Sequence, residues 1–360
     1  MERFVHHFEP EIGWMNDPNG LVQFRGKYHA FFQHYPHDTV WGPMHWGHAV
    51  SEDLIHWEEL PIALFPDQEY ENDGGCFSGS AIVHEDKLYL FYTSVGRDLG
   101  QTQSVAVSED GIHFEKYSGN PVIPVCPVDA APDFRDPKVF AWGDEFRMVV
   151  GSGSHGTGRV LLFGSSDLLH WEFLGTLYEN GEMAEVFECP DFFILEGKPV
   201  LMFSRIGESV KSTVFLQGDF DGVHFTPKAV FQPEFGPEFF APQTFPADDG
   251  RRIFIGWFYA WKKQLPEGAV SAGALTIPRE LYFNDKGLLC NYPVAEAREL
   301  LRDQDPAVEV KPGEVVIHGR PEGDFSFPVE ELESIAILRD VKGVEVFVNG
   351  GELSASAWLV

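Results

Sequence analysis

Basic residues are scarce in this 360-residue chain: 26 Lys and Arg stand against 56 Asp and Glu, a formal net charge of -30. A surface of that sign repels nucleic-acid phosphates and anionic lipid, so neither is expected as a partner, and the charge itself serves solubility. Cysteine is thin too. Cys76, Cys126, Cys189 and Cys290 are scattered without metal-ligand spacing and are expected as reduced thiols. No run approaches the roughly 18 consecutive apolar residues that a membrane helix needs. The opening MERFVHHFEPEIGWMND has no basic start followed by an apolar stretch, so no export signal is expected and a cytoplasmic location is the default. No cofactor or metal is expected. His45 and His48 in HWGH would point to opposite faces of a strand, and Cys189 has no His-Asp motif beside it to make it a nucleophile.

What the chain does have is aromatic and apolar mass (14% and 44%) and a repeated phrase. SEDLIHW (51–57), SEDGIHF (108–114) and SSDLLHW (165–171) start 57 residues apart, and FDGVHF, ending at Phe225, is a weaker copy with its Asp 54 residues after Asp167. A fixed period of this kind signals a repeat architecture. A hairpin pattern precedes each copy, over 20–33, 80–93, 138–152 and 191–204, and a fifth hairpin covers 244–257. A third strand, an Asp-containing turn and a last strand carrying the aromatic follow. Four strands per unit and five units predict an all-β chain with a five-bladed β-propeller over 1–290. The phrase itself is expected to be scaffold: its Asp suits a turn and its Trp or Phe suits packing between blades. Residues 291–304 read as a short helical linker, and 305–360 as a small, shortened β-sandwich-like unit that packs on the propeller.

The segments just before each first strand are MNDPNG, CFSGS, FRDPK, ECPD and APQTF, spaced by the same period. Innermost strands of a propeller surround its axis, so polar residues at equivalent ends converge. Asp17, Asp136 and Glu188 should therefore meet although they are far apart in the chain. Singly, each has an ordinary explanation: a turn former in NDPNG, a surface ion pair in RDP, a solvated carboxylate. Together, beside Trp14, Trp41, Trp46 and Phe77, they suit a sugar, whose C–H faces stack on rings and whose hydroxyls need acceptors. The matching chemistry is glycoside hydrolysis by paired carboxyl groups.

WMNDPNG, FSGS, FRDP and ECP in this order resemble glycoside hydrolase family 32, the invertase, inulinase and levanase group. WGHAVSEDLIHW, APQTF, IPREL and VEVFVNGGE extend the resemblance over nearly the whole chain. The resemblance implies a five-bladed propeller with a C-terminal β-sandwich, and a retaining reaction on the fructosyl bond of sucrose or short fructo-oligosaccharides. It implies that Asp17 is the nucleophile, that Glu188 is the acid and then the base, and that Asp136 with Arg135 holds ring hydroxyls. Trp14, Asn16, Gln33, Trp41, Phe77, Ser78 and Trp261 are the candidate substrate contacts. An acid flanked by two carboxylates should keep its proton unusually well, giving a bell-shaped, mildly acidic pH–rate profile. Glu238, Phe240 and the region of Ser271 depart from the family pattern and bear on the outer subsites. Three other functions fit the same elements less well: fructosyl transfer to a sugar, inverting attack on arabinose or xylose polymers, and sugar binding without catalysis.

Overall fold

The computed structural model describes residues 3–207, 210–259, 261, 263, 265 and 267–359. Among them, five antiparallel sheets follow one another along the chain. Their first strands are Gly13–Phe24, Gly75–His84, Asp133–Trp142, Val186–Leu195 and Phe240–Pro246. In the first four sheets the remaining strands add outward in sequence order, as a meander. The first strands pack on one another in order, and the fifth packs on the first, so they form a closed ring about an axis. A two-residue strand, Ser271–Ala272, leaves the fifth unit and pairs in parallel with Gly13 and Trp14, latching the end of the ring to its beginning.

The repeated phrase closes the turn between the third and fourth strands. In its first copy the Asp53 carboxylate accepts the backbone N–H groups of Ile55 (2.9 Å) and His56 (2.8 Å), and its second oxygen meets His56 Nδ1 at 2.7 Å. Asp110 and Asp167 do the same for their own turns, and Asp221 does so in the weaker copy. One side chain thus satisfies two otherwise open turn amides, the usual role of Asp in such turns. Trp57 and Trp171 finish the motif by donating Nε1–H to the carbonyls of Leu54 and Leu168.

The segment expected as a linker begins inside a strand. Leu289–Pro293 is the fourth strand of the fifth sheet, with four of its five residues buried, so no polar alternation marks it in the sequence. A short 3-10 turn, Ala295–Leu300, leads to Leu301–Arg302, which already pairs with Ile337 and Leu338. Beyond it, a four-stranded sheet (Leu301–Arg302, Ile335–Arg339, Gly343–Val348, Leu353–Trp358) and a three-stranded sheet (Val308–Lys311, Glu314–Ile317, Phe325–Pro328) enclose a shared apolar cluster including Val315, Phe327, Ile337, Val346 and Ala355.

This C-terminal unit is fastened to the ring by buried charge. Arg279, fully buried, contacts Glu234 and Glu345 at 2.5 Å each and donates to Asn291 and Ser356 at 2.7 Å each. His7 bridges Asp340 (2.9 Å) and Glu345 (2.7 Å), and Lys342 pairs with Glu9. A buried charge stripped of any partner is very costly, so these pairings hold the two parts in one register.

Candidate active site

Every first strand carries the same irregularity at the same height. Asn16 and Asp17 oppose the single residue Gln33, Phe77 and Ser78 oppose Thr93, and Asp136 and Pro137 oppose Val150. Cys189 and Pro190 oppose Phe203, and Ala241 and Pro242 oppose Gly256. Two residues against one is a β-bulge, which bends the strand and redirects its side chains. Proline fits here because ladder pairing is already interrupted. Asp136, Cys189 and Ala241 have positive φ (67°, 46° and 49°), left-handed conformations that non-glycine residues rarely adopt and that concentrate at functional sites. After the second bulge, Gly79 cannot be replaced freely: a Cβ there would lie 1.9 Å from the Phe91 carbonyl oxygen.

The bulges gather one cavity of about 290 Å³, lined by Asn16, Asp17, Gln33, Trp41, Phe77, Ser78, Gln101, Asp133, Arg135, Asp136, Glu188, Phe240 and Trp261. Trp46, named among the aromatics, is buried and donates Nε1–H to the Phe77 carbonyl (3.0 Å), and of the candidate acids and substrate contacts only Trp14 is not on the cavity wall. Trp14 is buried behind it, stacked on Trp261 with ring centres 5.3 Å apart, and donates Nε1–H to Asn16 Oδ1 at 2.7 Å. Its indole supports Asn16 and Trp261 from behind the wall. Gln101 and Asp133 line the wall without being singled out in the sequence, and Phe240 lines it as one of the departures from the family pattern. Asp133 was within reach, since it lies two residues before Arg135 and strand alternation puts the two on one face.

Asp17 is surrounded by donors. Its Oδ1 accepts from Asn16 Nδ2 (3.0 Å), and its Oδ2 accepts from Ser78 Oγ (2.6 Å) and Cys189 Sγ (3.5 Å). Donors on both oxygens fix the orientation of the carboxylate. Across the cavity Arg135 grips Glu188 Oε1 through Nε (3.0 Å) and Nη2 (2.6 Å), and turns Nη1 to Asp133 (2.5 Å). Asp136 accepts from the Cys189 backbone N–H at 2.8 Å.

Burial raises the Asp136 carboxyl above its ordinary range; Arg135 pulls it back, while Glu188 and Asp17 push it up again, and the rise wins. Glu188 is raised as well, by burial first, against the pull of Arg135 and with Asp17 and Asp133 adding to the rise. Burial opposes the charge on Arg135, but Glu188, Asp136 and Asp133 more than offset it, so the guanidinium stays cationic. Burial and the three neighbouring carboxyls drive the Cys189 thiol up, which keeps it a thiol and a donor. A site with this many acids and one cation retains a proton at pH values where isolated carboxyls have lost theirs.

A larger cavity, about 780 Å³, opens at the other ends of the same first strands, among Val22, Val83, Phe140, Phe193 and Pro246. Its acids Asp144, Glu145 and Asp248 are exposed and do not converge as those of the smaller cavity do. Among the described residues, no group of three His, Cys, Asp or Glu is arranged to hold a metal ion.

The family model for the glycosyl hydrolases family 32 N-terminal domain matches residues 7–293. The chain belongs to glycoside hydrolase family 32. It is therefore a glycoside hydrolase, and its all-β propeller-type fold is that of its structural relatives. A sucrose-6-phosphate hydrolase of Zymomonas mobilis is 40% identical over 359 residues, covering 91% of this chain and 68% of that protein. A raffinose invertase of Escherichia coli is 40% identical over 329 residues, with 85% and 68% covered. A mutant family 32 beta-fructofuranosidase of Bombyx mori, solved in complex with sucrose, superposes with a TM-score of 0.87 at 33% identity, covering 99% of this chain and 89% of that one.

The departures from the family pattern take on a shape. Glu238 is buried, pairs with Arg320 of the C-terminal unit (2.7 Å) and is not among the residues that line the cavity. Phe240 supplies an apolar wall, and Ser271 lies in the short strand that latches the ring.

Proposed function

We propose that this family 32 chain is a retaining β-fructofuranosidase that hydrolyses the fructosyl bond of sucrose and of short fructo-oligosaccharides. In this reading the five sheets are the blades of a five-bladed propeller and the chain beyond Pro293 is a shortened sandwich-like domain. The observation that carries the proposal is the division of labour in the cavity: Asp17 is held in place by donors from Asn16, Ser78 and Cys189, while Glu188, raised by burial, is clamped by Arg135 on one oxygen only. The names of the relatives support fructosides as the substrate class.

The Asp17 carboxylate attacks the anomeric carbon of the fructosyl unit, and the proton on Glu188 passes to the departing glycosidic oxygen. A covalent fructosyl-Asp17 intermediate results. Glu188, now ionised, takes a proton from water, whose oxygen displaces Asp17 and restores the starting configuration. Arg135 and Asp136 hold ring hydroxyls and stabilise the oxocarbenium-like transition state. Trp41, Phe77, Phe240 and Trp261 stack on the C–H faces of the sugar. The test is incubation with sucrose, sucrose 6-phosphate, inulin and levan, with the first-formed anomer of fructose followed by NMR and Asp17→Ala run alongside. Retention and an inactive variant are expected. Inversion, or an Asp17→Ala enzyme as active as wild type, overturns the assignment.

A further inference from the structure

Asp136 sits at φ 67° on an inner strand, a left-handed conformation that a non-glycine residue rarely adopts. What holds it comes from the neighbouring sheet. The Asp136 N–H is donated to Thr93 Oγ1 at 2.9 Å, and the Thr93 hydroxyl donates onward to Gln103 Oε1 at 2.8 Å. Gln103 Nε2 then donates to the carbonyl of Phe134 at 2.8 Å, two residues before Asp136. Gln101, on the same face of its strand as Gln103, accepts the Phe134 N–H at 2.7 Å. Both outward backbone groups of Phe134 are thus taken by glutamine side chains, and the relay returns to the chain it started from.

Each proton in this relay has one place to go. Thr93 has a single O–H, and it must point at Gln103 because its oxygen already accepts from Asp136. The Gln103 amide nitrogen is engaged at Phe134, so its oxygen faces Thr93. Thr93, Gln103 and Phe134 are fully buried, and no solvent can substitute for a missing member.

We infer that Thr93 and Gln103 are positioning residues for catalysis: they hold the Arg135–Asp136 bulge in the geometry that presents both side chains to the fructosyl ring. This rests on the proposed role of Asp136 and extends it to two residues that touch no substrate. A misplacement of a reacting group by about 1 Å can cost on the order of 100-fold in rate, so loosening the bulge should appear in turnover more than in binding.

The experiment compares Thr93→Val, which keeps the shape and removes the hydroxyl, with Thr93→Ser, which keeps the hydroxyl, using kcat and KM for sucrose. Thr93→Val is expected to lose about tenfold or more in kcat with a smaller change in KM, and Thr93→Ser to stay near wild type. Gln103→Leu should show the same split, and it carries the test should Thr93→Val fail to fold. The double variant should be no slower than the slower single variant, the mark of one shared relay. Equal turnover of Thr93→Val and Thr93→Ser, or independent losses that multiply in the double variant, overturns the inference. Asp136→Asn separates the two levels. If it turns over at the wild-type rate, the role of Asp136 falls and the relay loses its object. If it is slow while Thr93→Val is not, only the relay falls.

Discussion

Ser78 donates its hydroxyl to Asp17 at 2.6 Å, from the second inner strand to the first. The two lie 61 residues apart in the chain, and both occupy the second place of their bulge. A carboxylate oriented by a donor on a neighbouring sheet, as the proposed nucleophile is here, inherits the rigidity of the ring, because neither bulge can shift without disturbing the packing of its neighbour.

Ser78→Ala should therefore slow the enzyme without unfolding it. A hydrogen bond to a charged group contributes roughly 1.5–3 kcal/mol, so kcat/KM for sucrose should fall on the order of 10- to 100-fold. The urea midpoint should move little. Activity within twofold of wild type would mean that Asn16 and Cys189 hold Asp17 unaided.

The basic limb of the pH–rate profile should follow Glu188. In its proposed role as proton donor it works below its own raised pKa, and activity should be lost as pH climbs through that value. Asp133→Asn removes a carboxylate that raises Glu188 and releases Arg135 Nη1 from its competing pair. Both changes favour ionised Glu188. The basic limb should move to lower pH, read from kcat/KM between pH 4 and 9; a limb that stays in place or moves up contradicts the assignment.

Stability should fall at alkaline pH through His7. Burial alone would lower its pKa, but the hydrogen bonds and charges of Asp340 and Glu345 outweigh that and raise it to about 9. A cation favoured in the folded state contributes stability that is fully present below the unfolded value near 6.5 and is lost as pH rises through about 9. Urea unfolding at pH 7 and pH 10 should show this drop. His7→Gln should be weaker at pH 7 and largely free of that pH dependence.

Arg279→Met should be the most damaging change away from the cavity. It leaves Glu234 and Glu345 buried without their cation, and breaking a buried pair on one side costs about 3–5 kcal/mol. Loss of the contact between ring and C-terminal unit should appear as a lowered urea midpoint or as an added early unfolding phase. An unchanged transition would show that the apolar contacts suffice.

Much of this was legible in the chain because a repeat makes positions comparable. The 57-residue step located the Asp53, Asp110 and Asp167 turns, and the same period brought Asp17, Asp136 and Glu188 together. Other features lay beyond that logic. Trp14 looks like any aromatic beside a sugar site, and only its packing against Trp261 and its bond to Asn16 show it facing inward. Gln101 and Gln103 sit on a strand whose sequence gives no sign that their amides bind another strand's backbone. The end of the strand Leu289–Pro293, from Asn291 on, hides as a linker because burial of four of its five residues erased its alternation. The anchoring of Arg279 joins residues far apart in sequence, and no local pattern reports it.

The two-against-one bulge recurs in all five inner strands whatever residues fill it: Asn-Asp, Phe-Ser, Asp-Pro, Cys-Pro and Ala-Pro. The backbone thus offers the same bulge five times around an axis, and cavity residues stand in it (Asp17, Ser78, Asp136) or immediately before it (Arg135, Glu188, Phe240). Evolution can then rewrite the reaction by exchanging occupants, without renegotiating the fold.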